Sequence, residues 1–265
     1  MGLVLDNNSV ELYERWLRCP AGRAMDEFTL GIIHGLLSLQ KNDRILDIGC
    51  GTGNHILSLK RLGLDISGID ASADMIDIAR SRLGSKCELK IGQAEDLPFS
   101  DNEFDIALLI NALEFIDDPL TVLKEAGRVA RKKVLICVIN RLSLYYQWAR
   151  LGEIFRESLI KHIRPYNLWE MKSHIKSAYG AVPVVWKCTQ DLLPLKGRHK
   201  TLNPDRFKSF NWPFGSFLGF SVTLNPLIRT GSLPLKIMVK KPEQPFAEGI
   251  TTQGQYSLLD NDAAE

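Results

Sequence analysis

The residues best suited to chemistry in this 265-residue chain lie in one short stretch, Leu46-Asp47-Ile48-Gly49-Cys50-Gly51-Thr52-Gly53-Asn54. Glycines at alternate positions let a backbone turn tightly and approach a ligand closely. The stretch follows an apolar run and opens a helical one, so it offers first-turn N–H groups and the positive end of a helix dipole. A dinucleotide fingerprint needs G-x-G-x-x-G. Here the glycines fall at 49, 51 and 53, and Asn54 stands where the fingerprint has its last glycine. Asp47, two residues before the first glycine, would repel a pyrophosphate and attract an ammonium. The loop therefore suits a ligand that carries both a carboxylate and an ammonium, as the methionyl part of S-adenosylmethionine (SAM) does.

Three further marks follow. Gly68-Ile69-Asp70 puts an acid 21 residues past Gly49, the placement of a residue that accepts both hydroxyls of a ribose. Ile91-Gly92-Gln93-Ala94-Glu95-Asp96-Leu97-Pro98-Phe99 supplies side-chain oxygens able to accept from an adenine amino group. Asn111 stands at the end of a fourth apolar strand, where a ligand crossing the carboxyl edge of a sheet must pass. Cys50 reads as a small filler, His55 as a packing or capping residue, and Glu114 as either an acceptor-facing group or a solvated loop end.

These residues need a frame that brings loop ends together, and the pattern provides one. Helical spacing appears over Val10–Leu17 and, after a break at Cys19-Pro20-Ala21-Gly22, along Met25, Phe28, Ile32, Leu36 and Leu39. Strands are expected at Arg44–Ile48, Ile66–Ile69, Cys87–Ile91, Phe104–Ile110 and Val134–Ile139. Helices are expected at Asn54–Leu62, from Ser72 to Leu83, and from Asp118 with Pro119 at its first position to Ala130. This alternation implies a parallel sheet with right-handed crossovers. Beyond Asn140 the pattern predicts a long amphipathic helix over Ser143–Ile163, with a stripe of Leu144, Trp148, Leu151, Phe155 and Leu159. A helix over Asn167–Tyr179 follows, then strands at Val182–Thr189, Phe217–Leu224 and Leu235–Lys240, with loop over 190–216. The expected organisation is one domain over 1–240, with a helical lid over 1–40 and a helical insertion over 141–183, then a disordered acidic tail over 241–265.

LDIGCGTG, GIDAS, GQAEDLPF and FDIALLINALEFIDDP together resemble the class I SAM-dependent methyltransferases, in the branch around the ubiquinone/menaquinone-biosynthesis enzymes (type 11 methyltransferase domain). The resemblance covers roughly residues 10–140, with a weaker echo to about 240. It implies an α/β Rossmann-like fold: a mostly parallel seven-stranded sheet, one strand antiparallel to six, with helices on both faces and helical additions on the acceptor side. It implies SAM as cofactor, with Asp47, Gly49, Gly51 and Gly53 on the methionyl part, Asp70 and the adjoining Ala71 at the ribose, Gln93 and Ala94 facing adenine, and Asn111 completing the set. Gln93 stands where relatives often have Asp. YERWLRCPAGRAMDEF resembles the N-terminal lid of some relatives.

Composition narrows the acceptor without naming it. The net charge of +2 divides into −5 over residues 1–140, +11 over 141–240 and −4 over 241–265. The +11 part also holds Tyr145, Tyr146, Trp148, Phe155, Phe210, Trp212, Phe214, Phe217 and Phe220. Those residues suit a lipid-like acceptor at an anionic membrane surface, an acidic soluble or carrier-linked acceptor, or ordinary packing with solvated lysines. No Asn/Asp-Pro-Pro-aromatic motif follows the fourth strand and no Pro-Cys nucleophile is present, so no nucleic-acid partner is expected and a small-molecule acceptor is the default. In-line methyl transfer depends on proximity and alignment more than on acid–base groups. His162, Tyr166, Glu170 and His174 are acceptor-side residues for which packing or surface roles are favoured, and no catalytic residue is assigned. Five scattered cysteines and an N-terminus without a signal-peptide pattern point to a cytoplasmic protein without a metal site. A nicotinamide-dependent oxidoreductase and a non-catalytic SAM-binding protein stay open as alternatives.

Overall fold

The computed structural model describes residues 7–144, 146, 147, 150, 163–189 and 211–224. Most of the helix expected over Ser143–Ile163, the strand expected at Leu235–Lys240 and the tail 241–265 lie outside the described residues.

Seven strands form one sheet: β1 (Arg44–Ile48), β2 (Asp65–Asp70), β3 (Leu89–Ile91), β4 (Phe104–Ile110), β5 (Ala130–Ile139), β6 (Val184–Cys188) and β7 (Phe217–Thr223). Their order is β3-β2-β1-β4-β5-β7-β6. The pairs from β3 through β5 are parallel, and β7 runs antiparallel to both β5 and β6. This is the Rossmann-like sheet that the motifs imply, with six strands in one sense and one reversed.

Helices cover both faces because the strands alternate two sets of apolar side chains. Ile45, Ile106, Leu108 and Leu135 pack with Ile32, Ile33, Ile56 and Ile76. These come from α2 (Pro20–Leu36), α3 (Asn54–Lys60) and α4 (Ala73–Leu83). Leu46, Ala107, Leu109 and Val134 pack with Val122, Leu123, Met171 and Ile175. Those belong to α5 (Pro119–Val129) and α6 (Leu168–Tyr179). β4 is buried along its whole length, as an apolar central strand must be. The expected caps at Ser72 and Asp118 are in place, accepting from the Met75 and Thr121 N–H groups, and Asn167 caps α6 likewise, accepting from Glu170.

The structure departs from the sequence pattern in several places. The break after α1 (Asn7–Arg18) is a single residue wide: Cys19 caps α2, Pro20 opens it and Gly22 lies inside it. α3 ends at Lys60, and β3 begins at Leu89 rather than Cys87. β5 begins at Ala130, four residues before the first apolar position. Its basic residues reach buried carboxylates there: Arg131 and Lys132 pair with Asp105, and Lys132 also pairs with Asp43. Leu144, expected on a packed stripe, is 58% exposed, while Tyr146 is buried.

Candidate functional site

β1, β2 and β4 point their carboxyl ends to one edge of the sheet, and the predicted residues collect there. The loop after β1 carries Gly49, Gly51 and Gly53 at φ +73, +52 and +78, the left-handed region that favours glycine. Gly49 also abuts the next strand's loop, since a Cβ there would stand 2.6 Å from the Ala112 Cβ. The loop uses many of its own donors. Gly49 and Cys50 N–H groups donate to the Ile69 carbonyl, and Gly53 N–H donates to the Cys50 carbonyl. The Gly51 N–H donates to Asp70 Oδ2 at 2.8 Å. Fewer loop donors are left for an anion than the motif alone suggests.

What the edge offers is acceptors. Asp47 is buried and neither carboxylate oxygen has a hydrogen-bond partner. Burial pushes its carboxyl up to about 6, against the pull of His55 and with the help of Asp70. Asp70 also accepts from the Ser72 N–H at 2.9 Å. Its backbone bonds fix its rotamer and leave part of its acceptor capacity free. Burial raises its carboxyl despite the hydrogen bonds from Ser72, Gly51 and Ala71. Ala71 directly follows Asp70. Gln93 and Ala94 are half-buried in the turn after β3, where the Gln93 carbonyl accepts from the Asp96 N–H.

Asn111 ends β4 at φ +50, and the polar atoms of its amide are buried without partners. Three residues later Glu114 is only 2% exposed, so it is not a solvated loop end. Its Oε1 accepts the Ile139 N–H at 2.6 Å, while Oε2 is buried without a partner. Burial raises its carboxyl to about 7, although the hydrogen bond from Ile139 opposes this. Of the acceptor-side candidates, His162 lies outside the described residues. Tyr166 is fully buried with its OH donating to the Leu113 carbonyl, His174 packs edge-on against Tyr166, and Glu170 pairs with Arg141. All three take packing or pairing roles.

Several residues at this edge escape sequence reasoning. Arg82 of α4 donates to the Thr52 carbonyl and hydroxyl at 3.0 and 2.9 Å, to the Asn54 side chain, and to both oxygens of Glu14 at 3.0 and 2.9 Å. One guanidinium thus joins α1, the glycine loop and α4. Burial disfavours the Glu14 charge, but Thr52 and Arg82 outweigh it and hold the carboxyl below its usual value. Burial, then Asp26, Glu14, Asp70 and Asp47, push the Tyr13 phenol upward, which places α1 beside the acidic edge. His55 Nε2 lies 3.3 Å from Asp26 Oδ1, and the charges of Asp26 and Asp47 outweigh burial to raise its pKa. α2 packs against β5, β6 and β7, while α1 reaches the glycine loop through Glu14 and Arg82. The only local signal for any of this was the type of Glu14, Arg82 and His55, since their partners are 28 or more residues away or on another helix.

Comparison with known proteins places this geometry. The family model described as "Methyltransferase domain" matches residues 46–138, from β1 through most of β5. This segment is similar to that family. An uncharacterized protein of Methanocaldococcus jannaschii is 39% identical over 116 residues, 43% of this chain and 50% of that protein. A demethylmenaquinone methyltransferase of Bacillus licheniformis is 36% identical over 101 residues, 36% of this chain and 44% of that protein. The chain thus spans about half the length of the curated relatives it matches. A SAM-dependent methyltransferase of Thermotoga maritima, described as a possible histamine N-methyltransferase, superposes with a TM-score of 0.61 and 25% identity. That match covers 82% of this chain and 96% of the other. The four motifs thus sit on β1, β2, β3 and β4 of the seven-stranded sheet, within the matched segment.

Proposed function

We propose that the chain is a SAM-dependent methyltransferase that acts on a small molecule. One observation carries the reading: a buried carboxylate, Asp47, with no partner on either oxygen at the foot of the glycine loop. An isolated buried charge is costly unless a ligand supplies the counter-charge, and an α-ammonium does so. Asp70 offers its remaining lone pairs to a ribose, and Gln93 and Ala94 border the adenine, with Ala71 and Asn111 at the flanks. When bound, SAM would supply a methyl group on a sulfonium, for in-line attack by the acceptor's nucleophile as the C–S bond breaks and the neutral thioether leaves. The chain's own part is to orient that methyl and keep water out, with α1 as the cover. The acid at 47 disfavours a nicotinamide dinucleotide, whose pyrophosphate would meet it.

Residues 141–240, basic and rich in aromatics, are our candidate for the acceptor-facing part, with lipophilic acceptors first among those to test. The printed name of the Bacillus relative makes a quinone-type ring a reasonable first probe. Calorimetric titration with SAM is the test of the site. Asp70→Ala and Gly51→Val are expected to abolish measurable binding, and unchanged affinity in both would overturn the assignment. Labelled SAM incubated with fractionated cell extract then shows whether label enters lipid, protein, nucleic acid or small polar molecules.

A further inference from the structure

The carboxyl end of β5 carries a second construction. Asn140 is fully buried there, and its Nδ2 donates to the carbonyls of Pro213 and Gly215 at 2.8 and 2.7 Å. Its Oδ1 accepts the Leu142 N–H, and its own N–H donates to the Ser216 carbonyl. One buried amide thus pins the turn over 211–216 at several points. Two large apolar side chains of this pinned turn face outward. Trp212 is 61% exposed and Phe214 42%, and their rings meet edge to face with centroids 5.3 Å apart.

The surroundings are basic. Arg141 adjoins Asn140, and Arg164 donates its N–H to the Glu114 carbonyl. Both guanidiniums share the single carboxylate of Glu170, which leaves a net positive charge among the three. Leu144 lies exposed on the adjoining turn. Residues 141–240 as a whole carry +11. No described helix is long and apolar enough to cross a membrane. Exposed aromatic side chains on a fixed backbone, beside two arginines that share one carboxylate, suit the headgroup layer of an anionic bilayer. The rings enter the acyl boundary and the cations meet lipid phosphates.

We propose that the Trp212–Phe214 turn docks this sheet edge onto an anionic lipid surface. Glu114 binds the backbone at Ile139, one residue before Asn140, so the docked edge is the one that carries Asn111 and Glu114. The site would then open toward the bilayer and take an acceptor from it. That consequence rests on the function proposed above, whereas the docking does not.

The test uses the full chain with vesicles of phosphatidylcholine alone or with about 30 mol% phosphatidylglycerol, sedimented at low and high salt. Retention on the anionic vesicles at low salt is expected, with a blue shift of tryptophan emission. A Trp212→Ala/Phe214→Ala double variant should lose roughly tenfold in retention while binding SAM as the unaltered chain does. No retention, or equal retention of the double variant, as bare charge attraction to any polyanion would give, overturns the proposal. Absence of SAM binding in the unaltered chain would instead strike at the proposed function and leave the docking result standing.

Discussion

At the scale of single residues, Asp47 sets a pH limit on cofactor binding. Only its ionised form attracts an ammonium, and burial holds its carboxyl up near 6. SAM affinity should therefore be level above pH 6 and fall about tenfold per unit below it. Asp47→Asn should cost roughly 1.5–3 kcal/mol of binding at pH 7.5, the value of a hydrogen bond to a charged group, and flatten this profile. Calorimetry between pH 5 and 8 checks both. Gly49→Ala meets two penalties, a left-handed φ and a close approach to Ala112. A loss of about 2–4 kcal/mol is expected from strain and overpacking combined, read by urea unfolding. Asp47 and the glycines could be read in sequence because their types and spacing state their use. Glu114 could not, since a lone acid after a strand looks the same whether it is solvated or sealed, and only the Ile139 N–H and the packed loop decide.

At the scale of elements, the site depends on a helix that the motifs do not include. Arg82 binds Glu14 of α1 and the carbonyl of Thr52 in the same grip, so α1 and the loop share an anchor. A double-mutant cycle with Arg82→Met and Glu14→Gln should give a coupling of roughly 0.5–3 kcal/mol in unfolding. Arg82→Met alone should also speed amide exchange over residues 7–18 and weaken SAM binding. Exchange that stays unchanged over α1 would show that apolar contacts alone hold it. The strands of the central sheet were legible as apolar runs bounded by glycine and polar residues. The start of β5 was not, because the residues after Ala130 are Arg131-Lys132-Lys133. The register with β4 slips by one residue there, so that Arg131 and Lys132 together face Asp105. A hydropathy pattern marks such residues as loop; a buried carboxylate on the neighbouring strand makes them strand.

At the scale of the whole molecule, the sealed acids make stability depend on pH in an unusual sense. Glu114 and Asp47 have folded pKa values above their unfolded ones. Between about pH 4 and 7 the native state therefore holds protons that the unfolded chain has released, and stability falls as pH rises through that window. Glu114→Gln keeps an acceptor for the Ile139 N–H and removes one titration. It should be as stable as the unaltered chain at pH 4 and more stable at pH 8, by up to about 3 kcal/mol, in urea titrations. A difference independent of pH would show that Glu114 is not the group responsible. The junction between α5 and β5 bears on how the chain could change length. Val129 ends the helix and Ala130 begins the strand, with no loop between them. β5 already carries one residue more than β4 opposite Asp105. Loss of Lys132 would restore regular pairing and leave every side chain from Val134 onward on its present face. Gain of one residue between Ala130 and Val134 would have to be absorbed by a second bulge or would turn the strand over. At this point in the sequence, single deletions should be tolerated in homologous chains and single insertions should be rare.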